Sequence, residues 1–272
     1  MKEFSSNDKI IKDHYKTQAE KHKDGALSTM EDPITRKKEV NLITHFFNLP
    51  AVKKNTQKVL EIGCGNAYTL NILQPAFPNI HFTGLDFSED LLEIARTRNL
   101  PNVSFEQGDV RELKYADESF DAIYTERCII NLLTWEEQQQ GLLEMKRVLK
   151  KRGYLLFIES FTEGYDTLNI ARNELGLDSI PMPHHNNYFD KAIFEPWISE
   201  GFEIVDPEDL GAGPYDVARN FMSTHYFTAR VLHPLITKGD PHMKNTELVK
   251  FFSFMPPSGN YSPIEAYVLR KK

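Results

Sequence analysis

Val59-Leu60-Glu61-Ile62-Gly63-Cys64-Gly65-Asn66-Ala67 is the stretch that decides the fold. Lys58 to Ile62 reads as a short, largely apolar strand that runs straight into a turn holding two glycines, and Thr69 to Leu73 opens a helix that Pro75 and Pro78 are expected to cut short. Glycine at 63 and 65 lets the backbone approach a ligand closely and adopt φ values that other residues avoid. The third glycine of a dinucleotide fingerprint would stand at Tyr68 and is missing, which argues against a nicotinamide cofactor. Glu61, on the strand itself, would repel a pyrophosphate and suits a cationic ligand.

Outward from this stretch, strand and helix alternate. Ile80 to Leu85 reads as a second strand closed by Asp86, and Ser88 caps a helix whose apolar face is Leu91, Leu92, Ile94 and Ala95. Val103 to Phe105 and Phe120 to Thr125 are the third and fourth strands, and Trp135 to Leu149 is a periodic helix. Lys151-Arg152-Gly153 ends that helix, and Tyr154 to Ile158 is the fifth strand. Such alternation requires parallel pairing with right-handed crossovers. Upstream, the first ~25 residues read as polar helix, and Asp32-Pro33 as the N-cap and first position of a helix reaching Phe47. Downstream, Phe194 to Glu200 is a helix ended by Gly201, while Phe202 to Val205 and Ala266 to Leu269 are the last strands. About 50 aromatic-rich residues lie between them, with a helix expected around Val217 to Leu235. That is far longer than a hairpin loop of roughly 2–5 residues, so the insertion is a functional or oligomerisation element. The expected fold is a single α/β domain over 1–272 with a Rossmann-like, doubly wound, mostly parallel sheet of about seven strands. It carries an N-terminal helical lid (1–48), a ligand-binding core (55–160), and pocket-building elements at 161–200 and 213–262.

Composition bounds the alternatives. Hydrophobic residues make up 40% and charged residues 26% of the 272, ordinary for a globular protein able to bury a core. A net charge of −7 argues against a phosphate-backbone partner, although a local basic pocket is compatible with it. Cys64 and Cys128 are too few for a disulfide framework and lack metal-ligand spacing. Met1 to Tyr15 has no apolar segment of the secretory type, and no run approaches the ~18 apolar residues of a spanning helix. The expectation is therefore a cytoplasmic protein with no membrane or nucleic-acid partner.

With these residues in place, the chain resembles the class I S-adenosylmethionine (SAM)-dependent methyltransferases over roughly residues 55–160. Glu61 to Gly65 matches the family's first motif, an acidic residue on the strand followed by Gly-x-Gly, and Ile62, Cys64 and Asn66 fall within the same cofactor loop. Phe120-Asp121-Ala122-Ile123-Tyr124 resembles the fourth-strand motif, and Val148 to Leu155 resembles the entry to strand five, departing from it at Arg152 and Tyr154. The resemblance implies that Asp86 accepts the ribose hydroxyls and that Phe87 and Leu91 pack on the adenine. It implies that Asp109, in Gly108-Asp109-Val110, takes the adenine amino group. Taken singly, Asp86 reads as a helix-start residue, Asp109 as a turn residue and Glu61 as a strand-end ion pair. Together they stand at the ends of successive strands, where open α/β sheets bind ligands.

Three further groups complete the expectation. Glu126 and Arg127, after strand four, are candidates for contact with the amino-acid end of SAM or with the acceptor; a plain surface ion pair is the equal alternative for Arg127. Leu27 to Glu39 resembles the lid of small-molecule methyltransferases, with Thr29 and Asp32 closing over SAM and Arg36 placed for a bidentate contact with its carboxylate. His184-His185-Asn186, framed by Pro181 and Pro183, is the candidate acceptor-side segment, one histidine serving as general base. Adjacent histidines without a spaced acidic pair make a poor metal site, so no metal is expected. The resulting reading is methyl transfer from SAM, leaving S-adenosylhomocysteine, to a small-molecule acceptor such as a hydroxyl of a sugar or surface-polysaccharide precursor. N- or C-methylation of a small molecule and a non-catalytic SAM-binding partner subunit are the alternatives, and the aromatic insertion is a candidate homodimer surface.

Overall fold

The structure is a computed structural model that describes residues 17, 32–238 and 246–272. The polar helix expected over the first ~25 residues, and Thr29 of the lid, fall outside the described residues except for residue 17. Seven strands form one sheet: β1 (Lys58–Ile62), β2 (His81–Asp86), β3 (Val103–Gln107), β4 (Phe120–Glu126), β5 (Leu149–Ser160), β6 (Phe202–Val205) and β7 (Ile264–Lys271). Their order is β3-β2-β1-β4-β5-β7-β6. The five strands β3, β2, β1, β4 and β5 pair in parallel, whereas β7 lies antiparallel to both β5 and β6. The chain winds outward from β1 to β3 and then returns to lay β4 on the other side of β1. The point of reversal, at the carboxyl ends of β1 and β4, is where such a sheet leaves a crevice.

Strand alternation sorts the side chains onto two faces. On one, Val59, Ala122, Tyr124, Leu156 and Ile158 pack with α1 (Pro33–Asn48) and α2 (Tyr68–Ala76). α3 (Glu89–Thr97) adds Leu92 and Ala95 there. On the other, Leu60, Ile62, Ile123, Leu155 and Phe157 pack with α4 (Trp135–Val148) and α6 (Lys191–Gly201). α5 (Thr162–Glu174) follows β5. The insertion consists of α7 (Ser223–Phe227), a π-helical turn (Thr228–Leu232), α8 (His233–Ile236) and α9 (Glu247–Ser253). It joins the first face through Phe221, Met222, Tyr226 and Val231. No helix among the described residues is long and apolar enough to cross a membrane.

Local chemistry accounts for the helix starts. The Asp32 carboxylate accepts the Ile34 and Thr35 N–H groups at 3.0 and 3.3 Å ahead of Pro33, and Ser88 Oγ accepts the Leu91 N–H. The helix expected to be cut short by Pro75 and Pro78 stops between them at Ala76, where the Phe77 N–H turns back to the Leu73 and Gln74 carbonyls. Two boundaries differ from the sequence reading. Lys151-Arg152-Gly153 does not separate helix from strand, because α4 passes into β5 at Leu149 without a loop. Leu149 is buried and pairs with Phe120, and the register shift that follows places Arg152 at φ 60°. The insertion helix begins at Ser223, not Val217, since residues 217–222 form turns that bury Val217, Phe221 and Met222.

Phe47 is the hub of the α1 contact. Its ring meets Phe46, Phe77, Phe82 and Tyr124 edge-on at 5.1, 5.7, 6.1 and 5.9 Å between centroids and has no exposed surface. Phe47→Ala should lower unfolding stability by about 3–5 kcal/mol, the usual loss for a buried aromatic. Urea titration followed by circular dichroism checks this, and a loss below about 1 kcal/mol contradicts the packing described.

Candidate active site

An open cleft of about 1010 Å³ lies at the carboxyl ends of β1, β2 and β4. Its floor is the turn after β1. Gly63 and Gly65 both take left-handed φ angles, 78° and 52°, and the Gly63 and Cys64 N–H groups close the turn on the Leu85 carbonyl at 2.8 and 3.1 Å. A Cβ on Gly63 would stand 2.5 Å from Cys128 Sγ, so only glycine fits between this turn and the segment after β4. Asp86 holds the same turn from the side: one carboxylate oxygen accepts the Gly65 N–H at 2.7 Å and the other the Ser88 N–H at 2.8 Å. Burial pushes the Asp86 carboxyl above its usual range despite those donors.

Glu61 is buried and carries an oxygen with no hydrogen-bond partner. Burial, with Glu126 behind it, pushes this carboxyl well above the usual carboxylate range. Alternation along β1 and β4 points Glu61, Tyr124 and Glu126 to the α1 face, and α1 answers with Arg36 and Glu39. Arg36 Nη1 donates to Glu126 Oε2 at 2.7 Å, and Arg127 Nε donates to the fully buried Glu39 at 2.7 Å. Arg36, Glu61, Glu126 and Arg127 all line the cleft.

Most sequence-selected residues meet here. Ile62, Gly63, Cys64 and Gly65 line the floor. Asp86, Phe87 and Leu91 form one wall, with Gly108, Asp109 and Val110 beside them. Asn66 is not among the lining residues: it is 1% exposed, and its side-chain oxygen accepts the Tyr68 N–H at 3.2 Å, which shapes the turn from beneath. His184 and His185 are also outside the lining and meet each other edge-on at 5.2 Å. Their loop is nevertheless docked on the segment after β4, because the Asn187 N–H donates to the Ile130 carbonyl at 2.7 Å. Asp32, assigned to the lid, caps α1 and binds His225 Nε2 at 2.9 Å. Among the described residues, no group of three or more His, Cys, Asp or Glu is placed to hold a metal ion.

Two residues were missed by the sequence reading. Arg111 lines the cleft, donates Nε to the Asp109 carboxylate at 2.9 Å and Nη2 at 2.7 Å, and reaches Glu137 at 2.6 Å. Its position two residues after Asp109 was the available signal. Glu159, on the opposite face of β5 from Ile158, accepts the N–H groups of Cys128, Ile129 and Ile130 at 3.0, 3.1 and 3.2 Å. It thereby fixes the turn that presents Arg127, at φ 54°, and Asn131 to the cleft. Nothing in the sequence marks that contact.

Residues 59–153 match the family model of the methyltransferase domain. The chain is 34% identical over 133 residues to a demethylmenaquinone methyltransferase of Thermotoga maritima, covering 49% of this chain and 53% of the relative. It is 34% identical over 122 residues to a malonyl-[acyl-carrier protein] O-methyltransferase of Bacillus cereus, covering 43% and 44%. The chain thus spans about half the length of the relatives it matches. In fold it is similar to a TehB-like SAM-dependent methyltransferase from Corynebacterium glutamicum, with TM-score 0.55, 15% identity, and 96% and 99% of the two chains covered. Residues 59–153 thus match a methyltransferase domain, and the relatives that the chain resembles over that stretch are named methyltransferases.

Glu159 makes this site testable by pH. Burial pushes its carboxyl from 4.5 up to about 7, against the pull of its three backbone donors. A carboxyl raised on folding contributes stability that is fully present below 4.5 and is lost as pH rises through about 7. Wild type should therefore lose stability relative to Glu159→Gln across that window. A stability difference between the two proteins that does not change with pH contradicts the assignment.

Proposed function

We propose that the chain transfers the methyl group of SAM to a small-molecule acceptor, with a sugar-type hydroxyl as the acceptor group. The observation that carries the SAM reading is the buried Glu61 carboxyl, with an oxygen lacking a partner, beside a glycine turn at the sheet's switch point. An apolar or anionic ligand leaves that oxygen unanswered, whereas a ligand that brings N–H donors, and above all a cationic one, answers it.

The residues present fit SAM. Glu61 offers its carboxylate to the ammonium group, and Arg36 stands beside it for the carboxylate. Asp86 has lone pairs left for two ribose hydroxyls after accepting its two backbone donors. Leu85, Phe87, Leu91 and Val110 supply apolar walls for a flat ring, with Asp109 at its polar edge. When bound, SAM supplies a methyl carbon already activated by its sulfonium. What remains for the protein is to align the nucleophile and exclude water. The segment Glu126 to Leu132, held by Glu159, would form the wall facing the acceptor.

A hydroxyl acceptor must also lose a proton. The candidate bases are His184 and His185, whose loop is seated on Ile130 next to that wall. An amine acceptor would need no such group. His184→Ala or His185→Ala should therefore lower turnover by about tenfold or more while SAM affinity stays nearly unchanged. Full activity in both variants removes these histidines as the base and leaves either another base, at Glu126, Tyr188 or His225, or an amine acceptor that needs none.

Asp86→Ala tests the cofactor site itself. It removes the ribose acceptor and the clamp on Gly65 together, and a charged acceptor contributes about 1.5–3 kcal/mol, so SAM affinity should fall roughly ten- to a hundredfold. Calorimetric titration of the folded variant with SAM checks this; unchanged affinity contradicts the assignment.

A further inference from the structure

The loop after β3 brings a guanidinium group to the edge of the cleft. Asp109 and Arg111 both line the open space, in company with the apolar Leu85, Phe87, Leu91 and Val110. The loop is pinned from two sides. Toward the cofactor turn, the Gly108 N–H donates to the Asp86 carbonyl at 3.0 Å, and a Cβ on Gly108 would stand 2.7 Å from Leu85 Cδ1. Toward α4, Gln140 Nε2 donates to the Arg111 carbonyl at 3.0 Å. A Cβ on Gly141 of the same helix would meet Val110 Cγ1 at 3.3 Å, so helix and loop lie in close contact.

Within that frame Arg111 is gripped by acids at both ends. Its backbone N–H donates to Asp109 Oδ1 at 2.9 Å. Its Nε reaches Oδ1 at 2.9 Å and Oδ2 at 3.1 Å, and Nη2 donates to Oδ2 at 2.7 Å. Nη1 donates to Glu137, in the first turn of α4, at 2.6 Å. The Arg111, Asp109 and Glu137 side chains are only 16%, 26% and 24% exposed, unlike a surface pair free to swing in water. Two properties follow. The planar fork fixes the direction of the Asp109 carboxylate. The two carboxylates also share one guanidinium, so the group keeps one negative charge in excess at the polar edge of the apolar wall. A carboxylate has about four acceptor sites, and Oδ2 takes Nε only at the longer distance, so a site remains for a ligand N–H. A carbonyl oxygen placed there would meet like charge and no donor.

We propose that Arg111 is a positioning residue for base recognition: held by Glu137, it sets the Asp109 carboxylate to take the exocyclic amino group of adenine and to reject a purine that carries an oxygen at that position. This rests on the SAM reading and adds the residue that makes the site choose its base. Arg111 acts through Asp109 and need not touch the ring itself.

The test is calorimetric titration with S-adenosylhomocysteine and, separately, with S-inosylhomocysteine, which has a carbonyl oxygen in place of the amino group. A hydrogen bond to a charged acceptor sets the scale, so wild type should prefer the adenine compound by about ten- to a hundredfold. In Arg111→Gln that preference should fall to about threefold or less. Arg111→Lys keeps the charge without the fork and should recover part of it. Glu137→Ala, at an exposed helix start, should give a value between wild type and Arg111→Gln. A purely structural role would weaken both compounds by one factor and leave their ratio unchanged. A wild-type ratio in Arg111→Gln therefore overturns the proposal; where that variant does not fold, a wild-type ratio in Glu137→Ala overturns it. Equal binding of the two compounds by wild type overturns it as well, while the SAM reading stands. Binding of neither compound by wild type removes the SAM reading and this proposal together.

Discussion

A carboxyl buried at the switch point of the sheet organises this molecule. Glu61 has to lie on the α1 face of β1, because Leu60 and Ile62 are taken up by the opposite core. It therefore shares a buried space with Glu126 of the neighbouring strand. Three carboxylates gathered there, with Glu39, would repel one another unless cations or protons joined them. Arg36 and Arg127 supply the cations, and α1 must dock on the sheet for Arg36 and Glu39 to reach that space. The phenylalanines of α1 provide the docking energy, so cofactor-site electrostatics and core packing depend on the same helix.

The opposite face solves a related problem in another way. The turn after β4 must leave the sheet abruptly to present Arg127 and Asn131, and it exposes three successive N–H groups where water is scarce. Glu159 takes all three. Two buried glutamates, one on each face, thus shape one cleft: Glu61 lines it directly, and Glu159 holds its wall.

What the sequence made legible follows from how local each signal is. The strand-glycine-helix run at 59–73, the Asp32 and Ser88 caps, and the acidic residues at strand ends are set by neighbours in the chain, and the parallel pairing of the first five strands follows from their alternation with helices. Pro75 and Pro78 were equally local signals, and the helix ends between them at Ala76. The α4-β5 junction misled because Lys151-Arg152-Gly153 resembles a turn while Leu149 is already needed as a core strand residue. The contacts that finish the site were out of reach. Arg127 with Glu39 and Asp32 with His225 join residues separated by 88 and 193 positions. No pattern along one chain records such pairs. The histidines at 184 and 185 were conspicuous in sequence, yet the lining of the cleft does not include them.

The central claim is that Glu61 waits in the cleft for a cationic cofactor, and proton linkage tests it most directly. Its carboxyl is raised far above the usual range, so in the free protein it holds its proton at pH values where an exposed glutamate would not. A sulfonium- and ammonium-bearing ligand favours the ionised form. SAM binding should then release protons, and affinity should rise with pH until Glu61 is ionised without help. Calorimetric titration with SAM in two buffers of different ionisation enthalpy reads the released protons. The account predicts net proton release that disappears in Glu61→Gln together with most of the affinity. Binding without proton release, or with wild-type affinity in Glu61→Gln, would contradict it.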